Sequence, residues 1–250
     1  MGLLAAFFFV TALLYASVGF GGGSTYNALL VLAGTDYAVL PMISLACNIV
    51  VVTGGTWTFA RAGAVPWRRV WPVLLLSAPC AWIGGRIAVD KNVFIMVLGG
   101  SLLVAALLIL LQRDTKAGAS RPSRISDWLS WPIGMGVGFL SGLVGIGGGI
   151  FLSPILHLMR WEKPRAIAGT ASAFILVNSI AGLWGQLAKT GLASSISVAN
   201  TYWPLLIAVL VGGQIGSHIG ARILPQRMVR IATGLLILYV AVCLLVLGKQ

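Results

Sequence analysis

Hydrophobic residues form long blocks in this chain, and short polar or glycine-rich stretches interrupt them. The first block, residues 1–18, ends at a glycine cluster, and a shorter block, residues 24–33, precedes a polar tip at 34–36. At 1.5 Å per residue, helices of about 16 and about 10 residues reach roughly 24 and 15 Å, less than the roughly 30 Å hydrocarbon core of a bilayer. The pattern predicts a hairpin of two short helices whose turn lies inside the protein, because irregular backbone in a membrane must be shielded from lipid.

The same plan occurs twice along the chain. A polar segment, residues 112–127, contains Gly, Ser and Pro and four basic residues, as solvated connectors do. It separates an N-terminal repeat, 1–111, from a C-terminal repeat, 128–250, within one membrane domain. The second repeat begins with short apolar segments at 128–144 and 150–159, and each repeat continues with three segments long enough to span a bilayer. The six predicted spans are residues 39–60, 70–89, 92–111, 166–187, 202–219 and 229–247.

Glycine-rich motifs mark corresponding places in the two repeats. The motif GFGGG at residues 19–23 returns 126 positions later as GIGGG at residues 145–149. Glycine within a helix costs about 0.8 to 1 kcal/mol relative to alanine, so two such runs between apolar segments require a structural or functional reason. Further matches are Gly63 with Gly191, residues 84–87 with residues 220–223, and Asn48 with Asn178.

The composition is that of an integral membrane protein. Hydrophobic residues make up 58% of the 250 residues and charged residues 9%, against about 25% charged in soluble domains. A formal net charge of +12 in a soluble protein would suggest nucleic acid binding. Here it is assigned to cytoplasmic loops under the positive-inside rule, so the lipid bilayer and not nucleic acid is the expected partner. Attraction of cytoplasmic anions is a second interpretation of the same charge.

The distribution of basic residues predicts the orientation in the membrane. If each repeat has five membrane segments, one set of alternating loops carries 13 basic residues and the other carries 4. The richer set includes the linker 112–127 and is predicted to be cytoplasmic, with both termini outside a cell (inner) membrane. Because five is odd, the repeats enter the membrane in opposite senses, and the fold class is an all-α pair of inverted repeats. If each hairpin instead crosses as one tilted span, the repeats are parallel.

The two glycine motifs form the predicted substrate site. Glycines let backbone N–H groups approach an anion closely, and short helices beginning at Ser24 and Ile150 would direct their positive ends to it. Close helix packing is the alternative reason for the glycines. Polar side chains nearby are candidate donors, with helix-to-helix hydrogen bonding as the competing role of the Asn residues. The predicted substrate-binding residues are Gly21, Gly22, Gly23, Ser24, Thr25, Asn48, Gly147, Gly148, Gly149, Thr170, Ser172 and Asn178.

The paired motifs at 19–23 and 145–149, with SP at 153–154 and AGTAS at 168–172, resemble the TauE/SafE family of sulfite exporters. The similarity covers nearly the whole chain, including its duplicated halves and basic linker. It implies a transporter of small sulfur-containing anions, such as sulfite and sulfonates including sulfoacetate. The first repeat departs from the second, since it has NA at 27–28 where the second has SP.

The remaining residues argue against catalysis and leave the coupling ion open. The chain has no Ser/His/Asp arrangement, HExxH motif or paired intramembrane carboxylates, and its three cysteines lack metal-binding spacing. No enzyme activity, cofactor or metal is therefore expected. His218 is the candidate proton site, with a structural histidine as the alternative, and carbonyl groups at the broken helices leave Na+ as another coupling ion. An anion channel is the alternative function, followed by a membrane-embedded enzyme.

Overall fold

The computed structural model describes residues 1–17, 19–111, 124–159, 161–220 and 226–247. Within these ranges the chain forms ten α-helices and no β-strand, which confirms the predicted all-α class. The helices are α1 Gly2–Ala16, α2 Gly23–Leu32, α3 Leu40–Arg61, α4 Trp67–Arg86, α5 Lys91–Leu111, α6 Arg124–Val144, α7 Gly149–Leu158, α8 Pro164–Thr190, α9 Leu192–Gly220 and α10 Gln226–Leu247.

Four helices in the described ranges are long and apolar enough to cross a membrane, judged by length and composition. They are α3, α5, α8 and residues 194–218 of α9, and shorter apolar helices, among them α1 and α7, accompany them. At 1.5 Å per residue, the 15 residues of α1 and the 10 of α2 are each too short to cross alone. Several helices are thus long enough to cross a membrane, whereas the first pair of short helices is interrupted at its glycine motif.

Two helix boundaries differ from the sequence pattern. Helix α9 begins at Leu192, well before the predicted span at 202–219, because residues 192–201 are compatible with a helix although too polar to be counted in an apolar segment. The Ser195 hydroxyl donates to the Gly191 carbonyl at 2.7 Å and supports this first turn. Helix α6 begins at Arg124, inside the segment assigned to the linker, and residues 112–123 lie outside the described ranges.

Each glycine motif reverses the chain between two short helices. In the first repeat the rings of Phe8 and Tyr26 stack with centroids 4.6 Å apart. Phe8 lies about two turns before the end of α1, so this contact requires α2 to fold back along α1. In the second repeat a Cβ atom at Gly148 would lie 3.0 Å from Cγ1 of Val137, which is about two turns before the end of α6. Both motifs are therefore turns of helical hairpins.

Equivalent helices of the two repeats pack antiparallel. The hydroxyl oxygens of Thr56, late in α3, and Ser172, early in α8, lie 2.9 Å apart. A Cβ atom at Gly182, further along α8, would lie 3.3 Å from Leu45, which is earlier in α3. Contacts between α5 and α10 run in the same reversed order, with Gly99 against Leu245 and Gly234 against Leu110.

The first helix of each hairpin packs on a long helix of the other repeat. A Cβ atom at Gly84 in α4 would collide with the carbonyl oxygen of Phe139 in α6, and one at Gly216 in α9 would collide with that of Leu13 in α1. Leu13 and Phe139 are 126 positions apart, as the glycine motifs are, so Gly84 and Gly216 occupy matching positions. The sequence match of residues 84–87 with residues 220–223 stays a prediction, because residues 221–223 lie outside the described ranges.

Candidate functional site

The first glycine loop, residues 19–22, and the second glycine loop, residues 145–148, meet inside the protein. A Cβ atom at Gly23 would lie 2.8 Å from the carbonyl oxygen of Ile146 and 3.0 Å from that of Gly145, closer than packed side chains come. Residues 21–28 and 141–154 are buried without interruption. The structure thus brings together the two motifs that the sequence predicted to be neighbours.

A left-handed backbone favours glycine at the residue directly before each short helix. Gly22 has a φ of +89° and Gly148 a φ of +77°, and each directly precedes the first residue of a short helix. This conformation favours glycine because a Cβ atom would clash with the following carbonyl oxygen. The short helices begin at Gly23 and Gly149, one residue earlier than predicted.

The first turns of α2 and α7 have backbone N–H groups with no backbone acceptor. The first helical hydrogen bond is donated by Thr25 in α2 and by Phe151 in α7. The amides of residues 23–24 and 149–150 have no backbone acceptor among the described residues. Such groups concentrate partial positive charge at a helix N-terminus. The buried N-terminus at each glycine motif therefore favours a negatively charged ligand.

Asn48 on α3 lies between the two glycine loops. Its Nδ2 donates to the carbonyl oxygen of Ile146 at 3.1 Å. Cβ atoms at Gly21 and Gly147 would both collide with its amide group. The side chain is fully buried, and its Oδ1 has no hydrogen-bond partner among the described residues. Asn48 is thus a polar side chain that touches both loops.

Ile175 occupies the place in α8 that Asn48 occupies in α3. Cβ atoms at Gly147 and Gly149 would collide with Ile175, as those at the corresponding glycines of the first repeat would with Asn48. Ile175 follows Asn48 by 127 positions, close to the offset between the loops. The sequence match of Asn48 with Asn178 is therefore wrong. Asn178 lies three residues further along α8, and its Oδ1 is 3.1 Å from the position of a Cβ atom at Gly138 in α6.

Ser24 and Thr25, at the start of α2, both contact Tyr15. The Tyr15 hydroxyl lies 2.7 Å from Oγ1 of Thr25, and Oγ of Ser24 donates to the same hydroxyl at 3.5 Å. All three residues are buried. These contacts hold the first hairpin together, and the sequence pattern did not single out Tyr15.

The predicted polar residues of α8 have partners within the helix bundle. Thr170 donates to the Ala166 carbonyl of its own helix at 2.8 Å, and Nδ2 of Asn178 donates to the Phe174 carbonyl at 2.8 Å. Ser172 pairs with α3 through Thr56, as described above. His218 is exposed near the end of α9 and is not part of the buried cluster around the loops.

Asn27 forms a second polar link between the repeats. Its Nδ2 donates to the Val144 carbonyl at 2.6 Å, and its Oδ1 accepts a hydrogen bond from Ser44 at 2.5 Å. In the sequence pattern, Asn27 stands out only because the second repeat has Ser153 at the corresponding position. Its position four residues after Gly23, on the same face of α2, is the signal that would have placed it beside the loop.

Several buried polar atoms lack a hydrogen-bond partner among the described residues. More than nine in ten buried polar groups in proteins have a partner, so each exception needs a reason. No group of three His, Cys, Asp or Glu side chains that could hold a metal occurs in the described part of the chain. The unpartnered atoms are Tyr26 Oη, Asn48 Oδ1, Ser141 Oγ, Asn178 Oδ1, Ser179 Oγ and Gln186 Oε1.

Comparison with known proteins gives a consistent classification. The family model described as sulfite exporter TauE/SafE matches residues 3–244. A probable membrane transporter protein of Sinorhizobium fredii is 34% identical over 237 residues, which cover 94% of each chain. Probable membrane transporter proteins of Methanocaldococcus jannaschii and Bacillus subtilis are each 23% identical, over 88% and 93% of this chain and 86% and 90% of theirs. No solved structure matches the chain.

Proposed function

Since the chain belongs to the TauE/SafE sulfite exporter family and is a membrane transporter, not an enzyme, we propose that it is a secondary transporter of small sulfur-containing anions such as sulfite and sulfonates. In this proposal the substrate binds between the two glycine loops near the membrane midplane. The observation that carries the proposal is the packing of the α2 N-terminus at Gly23 against the second glycine loop, together with buried first-turn amides in α2 and α7 that have no backbone acceptor among the described residues.

The chemistry of the loops suits an anion that has no buried lysine as its counterion. Moving an unpaired charge into an apolar interior costs many kcal/mol, so protein groups must replace its water shell. Backbone amides at the two helix N-termini supply hydrogen-bond donors and partial positive charge, each helix contributing up to about 2 kcal/mol when partly buried. The sulfonate oxygens are acceptors only, so they require donors such as these backbone amides.

Alternating access is proposed to arise from inverted repeats. The antiparallel pairs α3 with α8 and α5 with α10 support a two-fold axis in the membrane plane. Cβ atoms at Gly21 and Gly23 would collide with Asn48, so the described conformation has the loops closed on this side chain. An anion enters the site when the loops separate, and the two repeats exchange roles as the opening changes sides.

Two further contacts support hairpins that return to the side from which they enter. Nη1 of Arg69, at the start of α4, donates to Glu162, in the connection from α7 to α8, at 2.8 Å. A cavity of about 540 Å³ joins residues 34–37 and Lys91 to Tyr239 near the end of α10. If each hairpin crossed the membrane, both contacts would join opposite sides.

The proposed orientation places the linker 112–127 in the cytoplasm and both termini outside the inner membrane, as the positive-inside rule predicts. An interior potential of about −100 mV favours exit of a monovalent anion by roughly 2.3 kcal/mol. Export can therefore proceed without a coupling ion. Uptake would require H+, Na+ or a steep substrate gradient.

Flux of labelled sulfite and sulfoacetate into proteoliposomes tests the proposal. Asn48→Ala should reduce the flux at least tenfold, because it removes the side chain that touches both loops. Thr53→Val is the matched control on the same helix, since Thr53 is exposed and its hydroxyl bonds to its own helix at Ile49, and its flux should remain within twofold of wild type.

A carrier should also accelerate labelled uptake when unlabelled sulfite is present on the opposite side. Absence of sulfite and sulfonate flux in the wild-type protein would contradict the substrate class. Conductive flux without acceleration by opposite-side substrate would contradict alternating access in favour of a channel.

A further inference from the structure

We propose that the anion site is asymmetric, with the hydroxyl groups of Ser141 and Ser179 binding the anion at the second glycine loop. This inference rests on the proposed function and identifies donors that neither the sequence motifs nor the family assignment names. Asn48, from the other repeat, lies at the same loop, because its Nδ2 donates to the carbonyl oxygen of Ile146.

The polar groups at the first glycine loop already bond to one another. Tyr15, Ser24 and Thr25 form one group, and Asn27 is held between Ser44 and the carbonyl of Val144, as described above. Each of these side chains has a partner in the closed protein. An anion would have to compete with the bonds that hold the first hairpin together.

The polar groups at the second glycine loop have no such partners. Ser141 and Ser179 are completely buried, and neither hydroxyl has a hydrogen-bond partner among the described residues. Oγ of Ser179 lies 3.2 Å from the position of a Cβ atom at Gly147, and Cβ of Ser141 lies 3.3 Å from that of one at Gly148. The Ser179 hydroxyl and the Ser141 side chain therefore lie against successive residues of one loop, on two different helices.

Tyr26 has the corresponding unpartnered hydroxyl at the first loop. A Cβ atom at Gly22 would lie 2.9 Å from this hydroxyl oxygen, and the ring is stacked on Phe8. A single phenol on one side supplies one donor, whereas the second loop has two serine hydroxyls on α6 and α8. The greater number of free donors places the anion at the second loop.

An anion suits this cluster better than a cation does. Serine hydroxyls donate as well as accept, and the N-terminus of the ten-residue helix α7, with unpaired amides at residues 149–150, adds positive potential. The described acidic side chains, Asp36, Asp90 and Glu162, lie at helix ends or connections outside this buried cluster. The positive potential of the helix N-terminus and the hydrogen-bond donors of the cluster therefore both favour a ligand with negatively charged oxygens.

Binding of sulfite and sulfoacetate to the full-length protein in detergent, measured by calorimetry, tests the assignment with Ser141→Ala and Ser179→Ala. Each variant should raise the Kd on the order of tenfold or more, because a hydrogen bond to a charged group is lost. Ser77→Ala is the matched control, since Ser77 is also fully buried but bonds to the Leu74 carbonyl of its own helix. Its Kd should stay within twofold of wild type.

A thermal readout separates ligand binding from a structural role. Without ligand, both serine variants should have an unchanged or higher apparent Tm, since each removes a buried group that has no partner. With saturating sulfite, the Tm increase seen in wild type should be reduced in the serine variants and retained in Ser77→Ala. A fall in the unliganded Tm with normal sulfite affinity would assign the serines a structural role and overturn the inference.

The remaining outcomes separate the inference from the function on which it rests. If wild type binds sulfite, Tyr26→Phe weakens this binding and the serine variants do not, the asymmetric site is overturned while the proposed function stands. If the Tm of wild type is higher in sodium chloride than in choline chloride, and the serine variants lose this difference, the cluster binds a cation and the inference is overturned. Wild type that binds neither sulfite nor sulfoacetate would contradict the proposed function itself.

Discussion

Replacing Gly23 with alanine tests the contact between the two glycine loops. The new Cβ atom would lie 2.8 Å from the Ile146 carbonyl oxygen and 3.0 Å from the Gly145 carbonyl oxygen, and it would collide with Nδ2 of Asn48. Gly23 is not among the residues with positive φ, so the substitution adds volume without backbone strain. Two of the three obstacles are backbone atoms that cannot rotate aside, so the loops must move apart.

The cost of Gly23→Ala follows from these contacts. Overpacking of this kind costs about 1 to 3 kcal/mol. Loss of the 3.1 Å hydrogen bond from Asn48 to Ile146 adds about 1 kcal/mol. The better helix propensity of alanine offsets up to about 1 kcal/mol of this. The net cost is therefore about 1 to 4 kcal/mol. At about 2 to 4 °C per kcal/mol for a chain of this size, the expected decrease in Tm is roughly 2 to 16 °C.

The nine tryptophans allow the transition to be followed by intrinsic fluorescence of the purified protein in detergent. A fixed scan rate is needed, because irreversible unfolding makes an apparent Tm depend on rate. Gly136→Ala in α6 is the control, since a Cβ there has no neighbour within 4 Å, and its Tm should be unchanged or slightly higher. Sulfite flux should fall at least tenfold in Gly23→Ala alone. Equal Tm and equal flux in the two variants would refute the close contact of the loops.

Two further predictions concern the topology and the contact between Arg69 and Glu162. The topology test uses single cysteines in a background without native cysteines, at three exposed positions. Gly2→Cys and Ala38→Cys should react with a membrane-impermeant maleimide in intact cells, because a hairpin that returns keeps residues 2 and 38 on one side of the membrane. Ala62→Cys should react only after the cells are permeabilised. Labelling of Gly2→Cys and Ala38→Cys from opposite sides would show that the hairpin crosses. Arg69→Ala should lower stability by about 1 to 3 kcal/mol, since the guanidinium loses its 2.8 Å bond to Glu162 and its stacking on a tryptophan ring 4.6 Å away. Glu162→Gln, which keeps a hydrogen-bond acceptor, should cost less than half as much in the same thermal assay.

Much of the architecture could be predicted from local properties of the chain. Apolar segments of 15 and 10 residues on either side of a glycine motif are too short to cross a bilayer, so the helical breaks were predictable from length alone. The duplicated motif also predicted that the two loops would be neighbours. Asn48 was identified because an intramembrane amide requires a partner, and it lies between both loops.

The direction in which individual side chains point could not be predicted in the same way. Asn178 matches Asn48 in residue type, yet Ile175 takes the corresponding place, because connections of different length shift the two repeats against each other. Ser and Thr residues are too common in membrane helices for sequence alone to distinguish a hydroxyl that bonds to its own helix, as in Thr170, from one without a partner, as in Ser179.

The sequence by itself therefore determined the membrane class, the duplicated plan and the glycine-centred hairpins, because segment length, polarity and the conformational freedom of glycine are local properties. Only the tertiary structure decided that α3 and α8 cross antiparallel between the loops, that Asn48 bridges them, and that unpartnered serines lie at the second loop. These features depend on the register of distant helices. That register is determined by side-chain packing across the whole bundle, which no single segment encodes.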